Sequence, residues 1–413
     1  MTFTRPEAGL FEAAGSGSEL TWRGRPCWAS VDLDAIETNC RVIGARLRPG
    51  ARLMAVVKAN AYGHGIVGVA EAALAGGAAC FGVACVDEGA QLRSAGIDAP
   101  ILVLGYVPHW EADRVLRLDL AVALTTTQLA LALARAAAEM GRPARVHVKV
   151  DTGMGRYGVL PEEALDFMRA CHATPGLDVE GIFTHLATAD EPDPTHAERQ
   201  LRRFDALCGV LDTHGLLPRV RHAVNSAGTF AFPDHHYDVA RCGIAVYGVP
   251  PADMPGLPPL RPALNLKARV ARLRTLPAGS CVGYGCTFVA RRPTDVALIP
   301  IGYADGLSRS LSNRGWALVN GRRAPIVGRV SMDQATLDVT GLGDVRQDDE
   351  VTLIGAQGGD EITATEMATW RDTIAYEVLT GLHVRVPRVY LRCGRPVAVA
   401  ENGEYWTLPP ERY

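Results

Sequence analysis

A chain of 413 residues with 48% hydrophobic and 21% charged positions has an ordinary globular composition and the length for two domains. A formal net charge of −3 gives no electrostatic footprint for nucleic acid or an anionic membrane. No apolar run reaches the roughly 18 residues of a membrane span, so a small-molecule partner is the favoured expectation.

Residues 1–26, rich in Gly, Ser, Glu and Ala, lack the apolar core of a signal peptide and read as a flexible extension. The 10 cysteines include no C-x-x-C pair. Cys27, Cys40, Cys80 and Cys85 lie in apolar or small-residue settings and read as buried thiols in a reducing cytoplasm.

From residue 27 to 261 short apolar strands alternate with amphipathic helices. After "SVDL", Asp34 and Glu37 stand at capping-box spacing, Ile36, Cys40, Ile43 and Leu47 line one face, and Pro49-Gly50 is the stop. Strands are predicted at residues 53–57, 81–84, 101–104, 121–124, 145–150, 179–184, 220–224 and 237–240. Between them fall helices such as 86–95, closed by Gly96, and 126–140, closed by Gly141. Such alternation demands parallel pairing and predicts a (β/α)8 TIM-type barrel, with an open doubly wound sheet as the alternative. No dinucleotide fingerprint or P-loop motif supports the latter. Six prolines within residues 250–262 mark a linker. Beyond it, alternating segments, a buried strand in "DVALIPIGY" and an Asn320-Gly321 hairpin predict a mainly β C-terminal domain over 262–413.

In a barrel, chemistry collects at the C-terminal strand ends. Lys58 ends the first predicted strand, and Lys149, Asp151 and Arg156 the fifth. His185 ends the sixth, Asn225-Ser226 follow the seventh, and Arg241 with Gly243 follow the eighth. A partly desolvated lysine has a lowered pKa and condenses readily with an aldehyde. Gly63, Gly65, Gly228 and Gly243 allow close backbone approach, and Asn225-Ser226 at a helix start suit a phosphate. Aldehyde and phosphate together suggest pyridoxal 5'-phosphate, although spacing alone leaves Lys58 open to being a surface lysine at a strand end.

Nine motifs in order carry a family resemblance: "AVVKANAYGHG", "KVDTGMGRYG", "THLATADE", "HAVNSAG", "RCGIAVYG", "VGYGCT", "IGYADG", "GRVSMDQ" and "IAYEV". From about residue 28 to 393 the chain resembles the alanine racemases, pyridoxal-phosphate enzymes with a barrel and a β domain. The resemblance implies that Lys58 holds the cofactor and serves as one catalytic base, with Tyr284 as the other. Two opposed bases are what racemisation requires, since a proton leaves one face of Cα and returns to the other. A phenol of ordinary pKa near 10 is a poor base, and His185 is expected to draw its proton. Arg241 would face the pyridine nitrogen and, being unable to accept a hydrogen bond, keep it unprotonated. Tyr62, Asn225, Ser226, Gly243, Ile244 and Tyr376 would hold the cofactor. Arg156, Met332 and Tyr303 would hold the substrate, and Lys149 matches a lysine that is often carbamylated.

The resemblance further implies a homodimer with composite sites, Tyr284, Tyr303 and Met332 coming from the second subunit. Ser331 stands where many members have cysteine. Asp190, Arg309, Arg329 and Ile374 match positions along the family's access corridor. His235-His236 and Cys281/Cys286 match no functional motif and read as a loop pair and core thiols. The expected function is reversible conversion of L-alanine to D-alanine for peptidoglycan, in the cytoplasm, with no metal. A racemase of broader or serine specificity, or a decarboxylase on the same two-domain plan, is the alternative.

Overall fold

The computed structural model describes residues 11–13, 20–254 and 256–408. These fall into two compact units. One takes in Ala35–Tyr62 and Ile66–Arg261; the other holds the described residues up to Asp34, Gly63–Gly65, and those from Pro262 onward.

The first unit is the predicted barrel. Strands Arg52–Val56, Cys80–Val83, Ile101–Val103, Ala121–Leu124, Ala144–Lys149, Leu177–Phe183, Val220–His222 and Val239–Cys242 are hydrogen-bonded in chain order, and the eighth pairs with the first. The seventh and eighth meet through Asp238 N–H to Arg221 O at 3.0 Å and Arg241 N–H to Val224 O at 3.1 Å, which all but closes the ring. Met54, Cys80, Leu102, Ala121, Val220 and Val239, each from a different strand, pack together as an apolar core. Helices follow the apolar periodicity. Thr126 caps Thr127–Met140 by accepting from Leu129 N–H, and Gly141, at φ 65°, ends it.

Two details depart from expectation. The eighth strand starts at Val239 and not at 237, because Tyr237 has φ 47° and cannot continue an extended chain; Arg241 therefore lies inside the strand. Helix Leu33–Gly44 does bury Ile36, Cys40 and Ile43. Asp34, however, is no cap: its carboxylate accepts from Cys393 N–H at 2.5 Å and pairs with Arg392 Nη1 at 3.3 Å.

The β unit is built on a nine-stranded sheet whose centre is the earliest of its strands in sequence. Cys27–Asp32 pairs antiparallel with Leu264–Arg269 and parallel with Arg388–Arg392, so this strand belongs here and not to the barrel. A buried run such as "CWASVD" carries no signal of which sheet will take it. Trp22 and Trp28 pack with Val389 and Val399 against Leu391, Trp406 and Leu408, which ties part of the expected extension into this core. Phe11–Ala13 pairs with Leu20–Trp22; residues 1–10 and 14–19 of that extension lie outside the described residues. The hairpin at Asn320-Gly321 forms as expected, with both residues at positive φ and Val319 opposite Arg322.

Cys27, Cys40 and Cys80 are buried, but Cys85, Cys281 and Cys286 are exposed, against expectation. Cys85 precedes helix Val86–Ser94 where the chain leaves the strand, and Cys281 and Cys286 flank a tight turn. His236 is no loose loop residue either: it is fully buried, accepts from Arg48 N–H at Nδ1 and lies 2.8 Å from Thr229 O through Nε2. Among the described residues no helix is long and apolar enough to cross a membrane.

Arg388, 2% exposed, organises the β unit. Its guanidinium donates to the carbonyls of Gly63 (2.9 Å), His383 (2.6 Å), Val386 (2.6 Å) and Leu382 (2.8 Å), and burial pushes its pKa down to about 10. Arg388→Leu removes four donors from buried carbonyls and is expected to cost about 3 kcal/mol or more. Urea unfolding followed by tryptophan fluorescence measures this; an unchanged midpoint would show that the carbonyls do not depend on Arg388.

Candidate active site

The backbone after Lys58 is the most constrained segment of the barrel. Ala59, Asn60, Ala61 and Tyr62 all lie at φ 51–53°, a left-handed turn made without glycine. At about 1–2 kcal/mol per residue, four such residues store roughly 4–8 kcal/mol of strain. Neighbouring groups hold it in place. The Glu88 carboxylate accepts from Ala59 N–H at 2.5 Å and Ala84 N–H at 2.7 Å, Asn60 Oδ1 accepts from Ile66 N–H at 3.0 Å, and Ala61 N–H bonds Val57 O at 2.8 Å. Lys58 and Tyr62 are thus joined by one helical turn of left-handed sense.

The turn delivers Tyr62 to the C-terminal end of the eighth strand. A Cβ on Gly243 would sit 2.4 Å from the Tyr62 hydroxyl, so only glycine admits that ring. Tyr62 lies against Tyr247 at 4.9 Å between ring centroids, and Tyr247 is anchored by its hydroxyl on Val56 O. Ser226 Oγ accepts from Gly243 N–H at 2.9 Å, and Asn225 caps the helix that Ser226 begins by accepting from Gly228 N–H at 2.9 Å. Asn225, Ser226, Gly243, Ile244 and Tyr62 are brought together as a buried polar seat.

Arg241 lies beneath the barrel mouth, 3% exposed. Nη2 donates to Thr184 O and Ala223 O at 2.9 Å each and to His185 Nδ1 at 3.0 Å; Nη1 donates to His222 Nδ1 at 3.0 Å. A guanidinium has no acceptor, so both Nδ1 atoms must be lone pairs and a neutral ring carries its proton on Nε2. His185 is therefore set to donate from Nε2, the reverse of the proton-accepting role expected of it. Burial, and then Arg241, Lys149, Arg156 and Lys58, push its pKa well below the usual histidine value. Burial also pushes Arg241 down to about 10.

The loop after the fifth strand hangs on Asp151, whose carboxylate accepts from the amides of Gly153 (2.9 Å), Met154 (2.7 Å), Gly155 (3.1 Å) and Arg156 (2.9 Å). Burial works to raise its pKa, but the four amides together hold it below the ordinary carboxylate range. Lys149, 6% exposed, has its ammonium 4.8 Å from the Tyr157 ring centre. Burial first, then Arg156 and Arg241, bring it down to about 8. Lys58 is exposed at the open mouth, yet enough protein surrounds its amine to lower its pKa by desolvation, with Arg156 adding to this and Glu88 opposing it. The mouth holds four basic side chains, and the Asp151 and Glu88 carboxylates beside them are bonded to backbone amides. It is built for an anion.

Profiles for the alanine racemase N-terminal and C-terminal domains match residues 31–251 and 263–390. The chain belongs to the alanine racemase family. It is 51% identical over 367 residues to alanine racemase of Symbiobacterium thermophilum, covering 89% of this chain and 97% of that one. Among solved structures it resembles alanine racemase from Bacillus anthracis with bound L-Ala-P, at TM-score 0.88 and 38% identity, over 92% of this chain and 99% of that one. It also resembles the Bartonella henselae enzyme with covalently bound pyridoxal phosphate, at TM-score 0.79 and 32% identity, over 89% of this chain and all of that one, 100%.

The other residues that the alanine racemase motifs single out belong to the β unit. Tyr284 stands in a tight turn between Gly283 and Gly285, both at positive φ, and is 71% exposed. A Cβ on Gly285 would come within 2.9 Å of the Arg329 guanidinium. Tyr303 and Met332 are brought together by Tyr303 N–H to Ser331 O and Ala304 N–H to Met332 O, at 3.0 Å each. Asp305 braces that turn, accepting from Gly302 N–H at 3.0 Å and from Arg25 and Arg385 at 2.6 Å each. Tyr376 is half-buried on helix Ala375–Thr380, whose Leu379 carbonyl would lie 2.1 Å from a Cβ on Gly63.

Sequence reasoning passed over one plain signal and two residues. Of 42 lysines and arginines only three are lysines, Lys58, Lys149 and Lys267, and two of those stand at the barrel mouth. His147 and His222, both buried in barrel strands, drew no role from the sequence.

With so few lysines, amine reactivity can be followed residue by residue. Acetic anhydride labelling across pH, scored by peptide mass, is expected to give Lys149 a midpoint near 8 and Lys58 one below the ordinary lysine value. Because the folded pKa of Lys149 is depressed, the unfolded chain holds more protons between pH 8 and about 10.5, so stability rises with pH across that window. Lys149→Met should reduce that slope to the share that Lys58 contributes, and a midpoint for Lys149 at the ordinary value would contradict the electrostatics described.

Proposed function

We propose that this chain is an alanine racemase, interconverting L- and D-alanine with pyridoxal 5'-phosphate. The observation that carries the reading is the cationic barrel mouth, where Lys58 of lowered pKa, donor-only Arg241 and the Tyr62, Ser226 and Gly243 seat converge. The named activity of the relatives and the pyridoxal phosphate of the Bartonella henselae structure support it.

The cofactor fits these residues. A dianionic phosphate suits the seat of hydroxyls and amides that glycine at 243 keeps open, with Tyr62, Asn225, Ser226, Gly243, Ile244 and Tyr376 as its holders. Lys58 is an amine able to hold the aldehyde, and a guanidinium at Arg241 leaves a ring nitrogen unprotonated. When bound, pyridoxal phosphate supplies an electron-withdrawing ring that acidifies the Cα–H of an attached amino acid. Lys58 is then the base for one face of Cα. Tyr284 is the base for the other, its phenolate favoured by the Nε2–H of His185. Arg156 holds the substrate carboxylate, with Met332 and Tyr303 closing around it.

Tyr284, Met332 and Ile374 are 71%, 54% and 62% exposed, an unusual display of large apolar side chains. We propose that a second copy covers them, so that a homodimer builds each site from one barrel and the other copy's β unit. The product would supply peptidoglycan in the cytoplasm. Lys149 is proposed to carry a carbamate: its lowered pKa leaves a useful neutral fraction to attack carbon dioxide, and the resulting anion replaces repulsion of Arg156 with attraction. With 13C-bicarbonate at pH 8, a carbamate resonance should appear in the wild type and vanish in Lys149→Ala; its absence from the wild type would remove this modification.

Deuterium wash-in at Cα of each alanine enantiomer tests the main reading. Lys58→Ala and Tyr284→Phe should each lose at least about a hundredfold in racemisation. Mixed and allowed to exchange subunits, the two inactive variants should recover up to about a quarter of wild-type sites, since half the dimers carry one intact site. Faster turnover of serine, or carbon dioxide release without racemisation, would replace the proposed function with its rivals. No recovery on mixing, with exchange confirmed, would remove the shared site.

A further inference from the structure

Behind Arg241 runs a buried polar chain that the chemistry above does not use. Arg241 Nη1 donates to His222 Nδ1 at 3.0 Å, so His222 carries its proton on Nε2. That nitrogen lies 2.8 Å from His147 Nδ1, which must then accept. His147 is left with its proton on Nε2, facing Glu180 Oε2 at 3.6 Å. Each step dictates the next. The proton order along the two imidazoles follows from the guanidinium at one end and agrees with a carboxylate at the other.

The fold is shaped around this chain. Between the fifth and sixth strands the register shifts, Val146 pairing with Val179 but His147 with Gly181, so Glu180 is the extra residue of a bulge. Bulges are rare in parallel pairs, and one of their uses is to re-aim a side chain. Gly181 is the second accommodation: a Cβ there would lie 2.2 Å from His147 Nδ1. His222 is clamped by Phe183, stacked on it at 4.6 Å and 6° between planes. Arg52 and Arg241 face His222, and with burial as the larger cause they keep its pKa well below the usual value. Glu180 is held below the ordinary carboxylate range first by His147, with Arg219 and Arg145 adding to this against the effect of burial.

We propose that Glu180 and His147 are positioning residues that fix the tautomer of His222 and thereby hold the Arg241 guanidinium in place, an assignment that rests on the racemase reading for its catalytic consequence. A buried guanidinium bonded to carbonyls and imidazoles needs strong acceptors, and a neutral imidazole polarised by a distant carboxylate is one. With Glu180 replaced by an amide, which can donate as well as accept, the order can reverse. His222 then presents a proton to Arg241, and two donors face each other.

The test is the tautomer of each ring, read by two-bond 1H–15N correlation in the 15N-histidine-labelled holoenzyme, with assignments from single substitutions. The wild type is expected to show both His147 and His222 protonated on Nε2. Glu180→Gln should give mixed tautomers at His222 and lower kcat about tenfold with little change in KM, whereas Glu180→Asp should keep the wild-type order. A wild-type His222 protonated on Nδ1 overturns the proposal, and so does a Glu180→Gln protein with unaltered tautomers and kcat. The wild-type spectrum decides even if the variant fails to fold. Expected tautomers in a protein that does not turn over alanine would leave the relay standing and remove the racemase reading instead.

Discussion

A guanidinium cannot accept a hydrogen bond, and the barrel of this protein is arranged around one such group. Arg241 sits inside the eighth strand with five donors to satisfy and almost no water to satisfy them. Two backbone carbonyls and two imidazole lone pairs serve its two terminal nitrogens. That choice of partners settles the protonation of His185 and His222 without reference to solution pH. It also leaves the cation unneutralised at short range. The surplus positive charge at the mouth is therefore a property of the scaffold, present before any anion arrives, which is how preorganised electrostatics acts.

The left-handed turn at Ala59–Tyr62 serves the same end by a different route. A right-handed turn of the same four residues would be cheaper but would send Lys58 and Tyr62 elsewhere. The strain is sustained because Glu88, Asn60 and Val57 each tie one of its amides or flanking groups, and because Gly243 leaves room for the phenol. Strain of this kind clusters where a chain must place functional groups against its own preferences.

Periodicity made the barrel legible: strands alternating with amphipathic helices, some closed by glycine, allow few other folds. The polar strand ends were legible for the same reason, since the barrel fixes where its mouth must be. What stayed hidden had no local signature. "KANAY" contains no glycine to announce positive φ. The bulge at Glu180 is one residue of register in a run that reads as continuous strand. His147 and His222 are single polar residues among apolar neighbours, and only the pairing of their strands shows that they meet. Tyr284, Tyr303 and Met332 were found by motif resemblance, because a residue that stands exposed on a turn of the β unit leaves no trace in hydrophobic pattern.

The placement of Cys27–Asp32 at the centre of the β sheet has a consequence for biosynthesis. Its hydrogen-bonding neighbours, Leu264–Arg269 and Arg388–Arg392, leave the ribosome more than two hundred residues later. Throughout that interval the nascent chain carries an apolar strand with both edges unpaired, the kind of segment that seeds misassembly. The intervening barrel closes through pairings between successive strands and can form meanwhile, so folding of the β unit must wait for Arg388–Arg392 and for closure of a very long loop. The first strand of the sheet to be made thus waits longest for both its neighbours, and early synthesis goes with late completion.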